Sequence, residues 1–354
     1  MCDFNLTNEA KKRGFTEARV ISPTPFLEWE AHHEALKDEG HPTSSSMTAY
    51  PHEVLKDAKA IIVLMTAYSP YDHELWPEDC LQIHPHYIAS NRQYQRTTEL
   101  IKLIQSMGYR AQMANRLPER HAALRAGYGR CGRMGLLIHP EHGSYICFHT
   151  IITDMPLAIT HHDDGSILSC QGCNLCVAAC PNGAINGDGQ IHREHCLRYY
   201  APIERPIPYA MRKTFGMRYI GCDACQEACI HNRHLKRIAP PDELIKATEL
   251  NTLLGYDTPE GREQLKALQQ LIGKNNARPQ RMAAAAALHA GNSGDHCYAP
   301  HLIHMLSDHP WATARSYAAW ALGQLGGYDD NLISHKSSEQ DDDVLEAITF
   351  SLSV

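Results

Sequence analysis

Eight of this chain's 13 cysteines are gathered within 60 residues of one another, at spacings that could hold metal. The first run is CQGCNLCVAACP, residues 170–181, with thiols at Cys170, Cys173, Cys176 and Cys180 and a proline directly after the last. The second is GCDACQEACIHN, with Cys222, Cys225 and Cys229, and Cys196 stands between the two runs. A structural zinc site takes four ligands, usually as two well-separated C-x2-C pairs. Here three thiols recur at every third residue and a fourth follows before Pro181, which is the run that holds 4Fe–4S cubanes. Three thiolates on a tight loop ligate three irons of one cubane, and the fourth thiolate serves the other cubane.

That crossing rule assigns Cys170, Cys173, Cys176 and Cys229 to cluster 1, and Cys180, Cys196, Cys222 and Cys225 to cluster 2. Two zinc sites are the alternative reading. Ile230 follows Cys229 where such runs favour proline, which changes a turn and removes no ligand. Cys2, Cys80, Cys131, Cys147 and Cys297 are scattered and read as small buried hydrophobes.

The 354 residues are 43% hydrophobic, enough for two or three packed domains. No apolar run reaches membrane-spanning length, and the opening MCDFNLTNEAKKRG lacks a signal-peptide core. A cytoplasmic location is therefore expected, where thiols stay reduced and a disulfide framework is excluded.

Clusters of this kind carry single electrons, so other elements must position what they serve. AKAIIVLMTAYSP (59–70) reads as a buried strand and RQYQRTTELIKLIQSMGY (92–109) as a helix stopped by Gly108. YRAQMA (109–114) reads as a strand and ERHAALRAGYG (119–129) as a helix closed by Gly127. LLI, SYICFH and TIIT look like further strand pieces. The G-x-G-x-x-G match at 127–132 follows a helix rather than a strand, so it does not mark a dinucleotide site. Glycines 127, 129, 132 and 135 allow close approach to a flat ligand, or form turns with no ligand at all.

AGYGRCGRMGLLIHPEHGSY, ITDMPL (152–157), the run at 170–181 and RPIPYAMRKTFGMRYIGCDACQ (205–226) together resemble the epoxyqueuosine reductase family. The resemblance implies a nitroreductase-like α/β N-terminal domain that binds cobalamin, with the clusters feeding electrons to it. It implies Gly127, Gly129, Gly132, Gly143, Ser144 and Tyr145 beside the corrin. There are departures. Met113 stands about where that family carries an aspartate thought to donate a proton, and a thioether cannot do so. Arg133 and Met134 follow Gly132 where the family has Lys and Asn. Tyr145, Arg133 and Asp154 are substitute candidates for the acid; packing, ligand contact and strand-end capping are their respective alternatives. Among the 23 histidines, the His161-His162 pair and His149 are candidates for metal contact, against the commoner reading as surface or hydrogen-bonded groups.

RMAAAAALHAG (281–291) and RSYAAWALGQLG (315–326) align at a spacing of 34, with YAPHLIHMLSD (298–308) as a return helix and DVLEAITFSL (343–352) as a truncated third unit. The period suggests a HEAT-like α-solenoid, with an ordinary helical bundle as the alternative. Residues 241–354 carry 8 Lys and Arg against 15 Asp and Glu, the whole of the chain's net charge of −7. A polyanion grip needs cations; ERPIPYAMRKTFGMR (204–218) offers a local basic stripe, but the overall charge sets a small-molecule or protein substrate ahead of tRNA as the expectation.

The expected architecture has three parts: an α/β nitroreductase-like domain over 1–165, a bacterial-ferredoxin-like two-cluster domain over 166–240, and the HEAT-like α-solenoid over 241–354. The expected protein is an iron–sulfur, cobalamin-dependent reductase served by a ferredoxin- or flavodoxin-like external donor. A non-catalytic electron-transfer module and a tRNA epoxyqueuosine reductase are the alternatives.

Overall fold

The computed structural model describes residues 4–38, 46–160, 170, 172–187, 189–203 and 205–353. Its strands in chain order are β1 Glu17–Ile21, β2 Ala60–Ala67, β3 Gln82–Ile83, β4 Ala111–Met113, β5 Arg130–Cys131, β6 Leu137–Ile138, β7 Ile146–Thr153 and β8 Arg218–Ile220. Four of them form one antiparallel sheet in the order β1-β2-β7-β4. β2 is apolar at nearly every position because both of its faces are covered. Ala60, Ile62 and Leu64 pack with Leu100, Ile101 and Ile104 of the helix Pro85–Ser106. Ile61, Val63 and Met65 pack on Ala122 and Ala123 of the helix Glu119–Arg125. Each large buried side chain there contributes roughly 1.5–3 kcal/mol.

SYICFH and TIIT are parts of one strand, β7, whose register with β2 runs unbroken from Ala60↔Thr153 to Ala67↔Ile146. The helix expected from residue 92 starts at Pro85, capped by the His84 ring, which accepts from the His86 N–H. Its first turns lack a helical apolar stripe because they face polar neighbours; Asn91 donates to the carbonyls of Gln270 and Leu271.

The cysteine-bearing middle region consists of short helices and turns, tied back to the first region by the parallel pair β3–β8. In the C-terminal region the helices Pro279–Ser293, Ala312–Leu325 and Asp342–Ser351 lie side by side in succession. Small residues set the spacing. A Cβ on Gly291 would lie 2.8 Å from Ala321 Cα, and one on Gly323 would lie 2.5 Å from Ser351 Cβ. The core of these helices continues into Ile207, Phe215, Tyr219 and Ile220, so packing crosses residue 240 without a break. The acidic stretch at 339–346 divides between a helix cap and an ion pair. Asp341 caps the last helix, but Glu339 turns inward onto Arg315 at 2.8 Å, which holds its carboxyl down at about 2. Among the described residues, no helix is long and apolar enough to cross a membrane.

Candidate active site and cluster sites

The eight thiols separate into two electrostatic neighbourhoods. Burial raises Cys176 and Cys229, and these two feel the thiols of Cys170 and Cys173 as well; Cys229 also feels Cys176. Burial likewise raises Cys196, Cys222 and Cys225. Cys196 feels Cys180, Cys222 feels Cys196, and Cys225 feels Cys222, Cys196 and Cys180 and, across the two sets, Cys176. Crowded, desolvated thiols resist ionisation when alone, and a cationic iron cluster reverses that balance, so the donor sets fit such a group. Two short helices build the neighbourhoods. Leu175–Ala179 carries Cys176, Ala224–Glu227 carries Cys225, and the two pack together. The Ala184 N–H donates to Cys180 Sγ at 3.1 Å. Ile230, in place of proline, opens a 3-10 turn that buries Asn232.

A second constellation lies where the open ends of β2 and β7 meet the start of the helix Pro85–Ser106. Tyr68 sets its ring against His84 and His86, each at 6.0 Å, and against Tyr145 at 5.8 Å. His84 stacks on Tyr145 and joins Gln226 at 3.1 Å, which links this cleft to the Cys225 helix. Burial brings His84 and His149 down to about 4 and lowers His86 well below the usual imidazole value, so all three are neutral. Tyr68 and His86 are strongly desolvated yet keep accessible surface, as groups on a cleft wall do. His149 Nδ1 is buried without a hydrogen-bond partner among the described residues. A cleft of neutral imidazole and phenol rings with an unsatisfied nitrogen fits a large flat cofactor.

Glu119 belongs to the same neighbourhood. It makes no hydrogen bond or ion pair among the described residues, and its charge reaches Cys147 on β7, which in turn acts on Tyr68. It is exposed, yet the surrounding protein strips enough hydration to push its carboxyl up to about 7. Along the chain Glu119 reads only as a helix start, Tyr68 as part of a strand run, and His84 and His86 as two of 23 histidines, so no short spacing marks them as a site.

The glycines of 127–143 lie against protein in ways their spacing does not show. A Cβ on Gly129 would strike the Ile138 carbonyl and one on Gly143 would strike the Asn232 side chain. A Cβ on Gly132 would lie 2.6 Å from Ile138 Cδ1, while Gly127 ends a helix and accepts from Arg19 at 2.8 Å. At Gly129, Gly132 and Gly143 the close approach seen is to protein. Ser144 is likewise occupied: its N–H donates to Asn232 and its hydroxyl accepts from Gln226 and Asn232. Tyr145 alone of that set borders the cleft, and burial raises its phenol far beyond acid use. Asp154 is tied to Arg110 at 2.7 Å and lowered by that bond, so it is a strand-end clamp rather than a proton source. Arg133 lies beside Cys170, Cys173, Cys176 and Cys229, against Gly187 and away from the cleft. Cys80 and Cys147 are buried as expected; Cys131 is half-buried and Cys297 is exposed, contrary to expectation. His161 and His162 lie outside the described residues.

One further feature bears on substrate. A cavity of about 570 Å³ opens between the arm around 203–212 and the C-terminal helices, lined by Arg205, Arg212, Arg278 and Arg281, with Asp343 and Glu346 also on its wall. Arg212 is 5% exposed, held between the rings of Tyr209 and Tyr317 at 4.2 and 4.3 Å. The C-terminal region is acidic overall, but folding sets two of its arginines, Arg278 and Arg281, in one groove with Arg205 and Arg212 of the preceding region.

A double-cluster region joined to an α/β sheet and a helical C-terminal region defines an iron–sulfur oxidoreductase. Residues 169–232 match the 4Fe-4S double cluster binding domain. The epoxyqueuosine reductase of Listeria monocytogenes is 28% identical over 319 residues, covering 85% of this chain and 82% of that protein. In structure the chain is similar to epoxyqueuosine reductase from Bacillus subtilis with its catalytic aspartate loop swung out (TM-score 0.80, 21% identity, 98% of this chain and 96% of that one). It is also similar to an epoxyqueuosine reductase crystallised with an epoxyqueuosine-modified tRNA stem loop (TM-score 0.78, 21% identity, 98% and 96% covered). The chain is similar to epoxyqueuosine reductases over most of its length, in sequence and in fold. These relatives' names speak for tRNA, against the preference for a small-molecule or protein substrate drawn from net charge.

Proposed function

We propose that the protein reduces an epoxide carried on a modified tRNA base, with electrons entering one at a time through two 4Fe–4S clusters. The observation that carries this reading is the arginine-lined groove, which supplies the local cations a tRNA backbone requires despite the acidic C-terminal region. The names of the relatives support the same substrate. In this reading Cys170, Cys173, Cys176 and Cys229 hold one cluster, and Cys180, Cys196, Cys222 and Cys225 hold the other.

Cobalamin is the further cofactor we propose, with Tyr68, His86, His149 and Tyr145 as the residues that would hold it. When bound it would supply a metal centre that collects low-potential electrons. The protein's own contribution is a dry, neutral wall and a proton. Converting an epoxide to an alkene takes two electrons and two protons and releases water. Glu119, protonated about half the time near neutral pH, holds one of those protons at its carboxyl oxygen.

A second reading is favoured by Met113, which lies at the end of β4. A thioether there suits a substrate other than epoxyqueuosine, or a module that only passes electrons on. One experiment divides the readings. Anaerobically reconstituted protein, cobalamin, a low-potential reductant and epoxyqueuosine-bearing tRNA are incubated together, and the nucleosides are analysed by mass spectrometry. Loss of one oxygen from the modified base is the expected result. Unchanged tRNA that also fails to shift in a low-salt gel overturns the tRNA reading.

A further inference from the structure

Two buried nitrogens beside one set of thiols lack acceptors. Arg133 Nε and His231 Nε2 are each shut away from solvent with no hydrogen-bond partner among the described residues. Both side chains line one small cavity together with Cys170, Cys173, Cys176 and Cys229. They come from separate parts of the chain. Arg133 stands between β5 and β6, and His231 lies in the 3-10 turn Ile230–Asn232 that follows Cys229.

The guanidinium has a prepared seat. A Cβ on Gly187, whose φ is +91°, would lie 2.5 Å from Arg133 Nη2 and 3.0 Å from its Nε, so a side chain there would push the group aside. The rest of the wall is apolar, made by Met134, Ile138, Leu175 and Ile230. An N–H left without an acceptor in such surroundings loses its hydration and gains nothing back. The protein supplies no acceptor there, whereas the sulfides and thiolates of a cubane accept hydrogen bonds and donate none. A sulfur acceptor also selects the imidazole tautomer with its hydrogen on Nε2.

On the cluster assignment proposed above, we infer that Arg133 and His231 donate hydrogen bonds to the sulfur of the cluster held by Cys170, Cys173, Cys176 and Cys229 and so raise its reduction potential. Reduction moves one electron from the reductant onto this cluster, and no bond or proton changes place. The added negative charge spreads onto sulfur, so a fixed donor stabilises the reduced form more than the oxidised form. The apolar wall strengthens each bond. Such a bond acts at short range, whatever charge Asp163, Asp164 and Asp188, outside the described residues, bring to the surface. Arg133 is thus a tuning residue rather than a proton source.

The test is an anaerobic redox titration of the reconstituted full-length protein with dithionite and mediators, the reduced clusters being counted by electron paramagnetic resonance. Arg133→Met and His231→Phe remove the donors and keep much of the bulk. Each is expected to lower the midpoint of one cluster at least tenfold in its reduced-to-oxidised ratio, about 59 mV for one electron, and to leave the other cluster in place. Arg233→Gln, which removes an exposed charge close by in the chain, is expected to move neither midpoint. In protein carrying isotopically labelled arginine and histidine side-chain nitrogen, pulsed resonance of the reduced cluster is expected to show one coupling from each residue, lost in the matching variant. The labelled wild type decides the matter even where a variant loses its cluster. Full clusters with unmoved midpoints, equal shifts at both clusters, a similar shift in Arg233→Gln, or no nitrogen coupling in the wild type overturns this inference and leaves the cluster assignment standing. Wild-type iron and sulfide far short of two cubanes overturn the assignment itself, and this inference with it.

Discussion

Glu119 shows how a single carboxyl can take a chemical role from its surroundings. An acid at the first turn of a helix is ordinarily stabilised in its charged form, yet desolvation raises this one to about 7. Below the usual carboxyl range, folded and unfolded chains both hold the proton and the site costs nothing. Between about 4.5 and 7 the folded chain retains a proton that the unfolded chain has released, so this contribution to stability falls as pH rises. Glu119→Gln removes that term. Its Tm is expected to exceed the wild-type value at about pH 8 and to equal it at about pH 4; scanning calorimetry at both pH values checks this, and a difference independent of pH would refute the description of a desolvated acid. The contrast with the cysteines is instructive. A thiol run at fixed short spacing identifies itself along the chain, whereas the meeting of Glu119, Tyr68, His86 and His149 depends on four separate segments.

At the scale of elements, local pattern served where one face or both faces of an element were uniformly covered. The central strand β2 and the helices Pro279–Ser293 and Ala312–Leu325 were legible for that reason. The first turns of Pro85–Ser106 were not, because their neighbours are polar side chains and carbonyls. Close helix packing gives a direct prediction. Alanine at Gly291 would gain about 1 kcal/mol in helix propensity. Its Cβ, however, would sit 2.8 Å from Ala321 Cα and 3.0 Å from the Trp320 ring, and overpacking of that kind costs about 1–3 kcal/mol. Gly291→Ala is therefore expected to lower the urea midpoint with little change in slope; a raised midpoint would mean that the helices are not so closely apposed.

At the scale of the molecule, the balance of charge misled until its distribution was known. Arg205 and Arg212 form one local pair and Arg278 and Arg281 another, and the groove brings the two distant pairs to one cavity. Arg278→Glu/Arg281→Glu is expected to weaken tRNA binding at low salt and to flatten the dependence of log affinity on log salt by about 1–2. Filter binding across a salt series measures both. An unchanged slope would remove these residues from the phosphate contacts. Cluster content in that variant is expected to match wild type, since the groove arginines are not among the cysteines' electrostatic neighbours.

The amino-acid sequence by itself determined the two thiol runs, the apolar strand and the repeated alanine-rich helices, because each is a pattern of side-chain type at short, regular spacing. Only the tertiary structure decided what the glycines of 127–143 approach, which acid stands by the cleft, and that an acidic region presents an arginine groove. Those are relations between segments distant in the chain, and they arise from packing and desolvation, which no local spacing records.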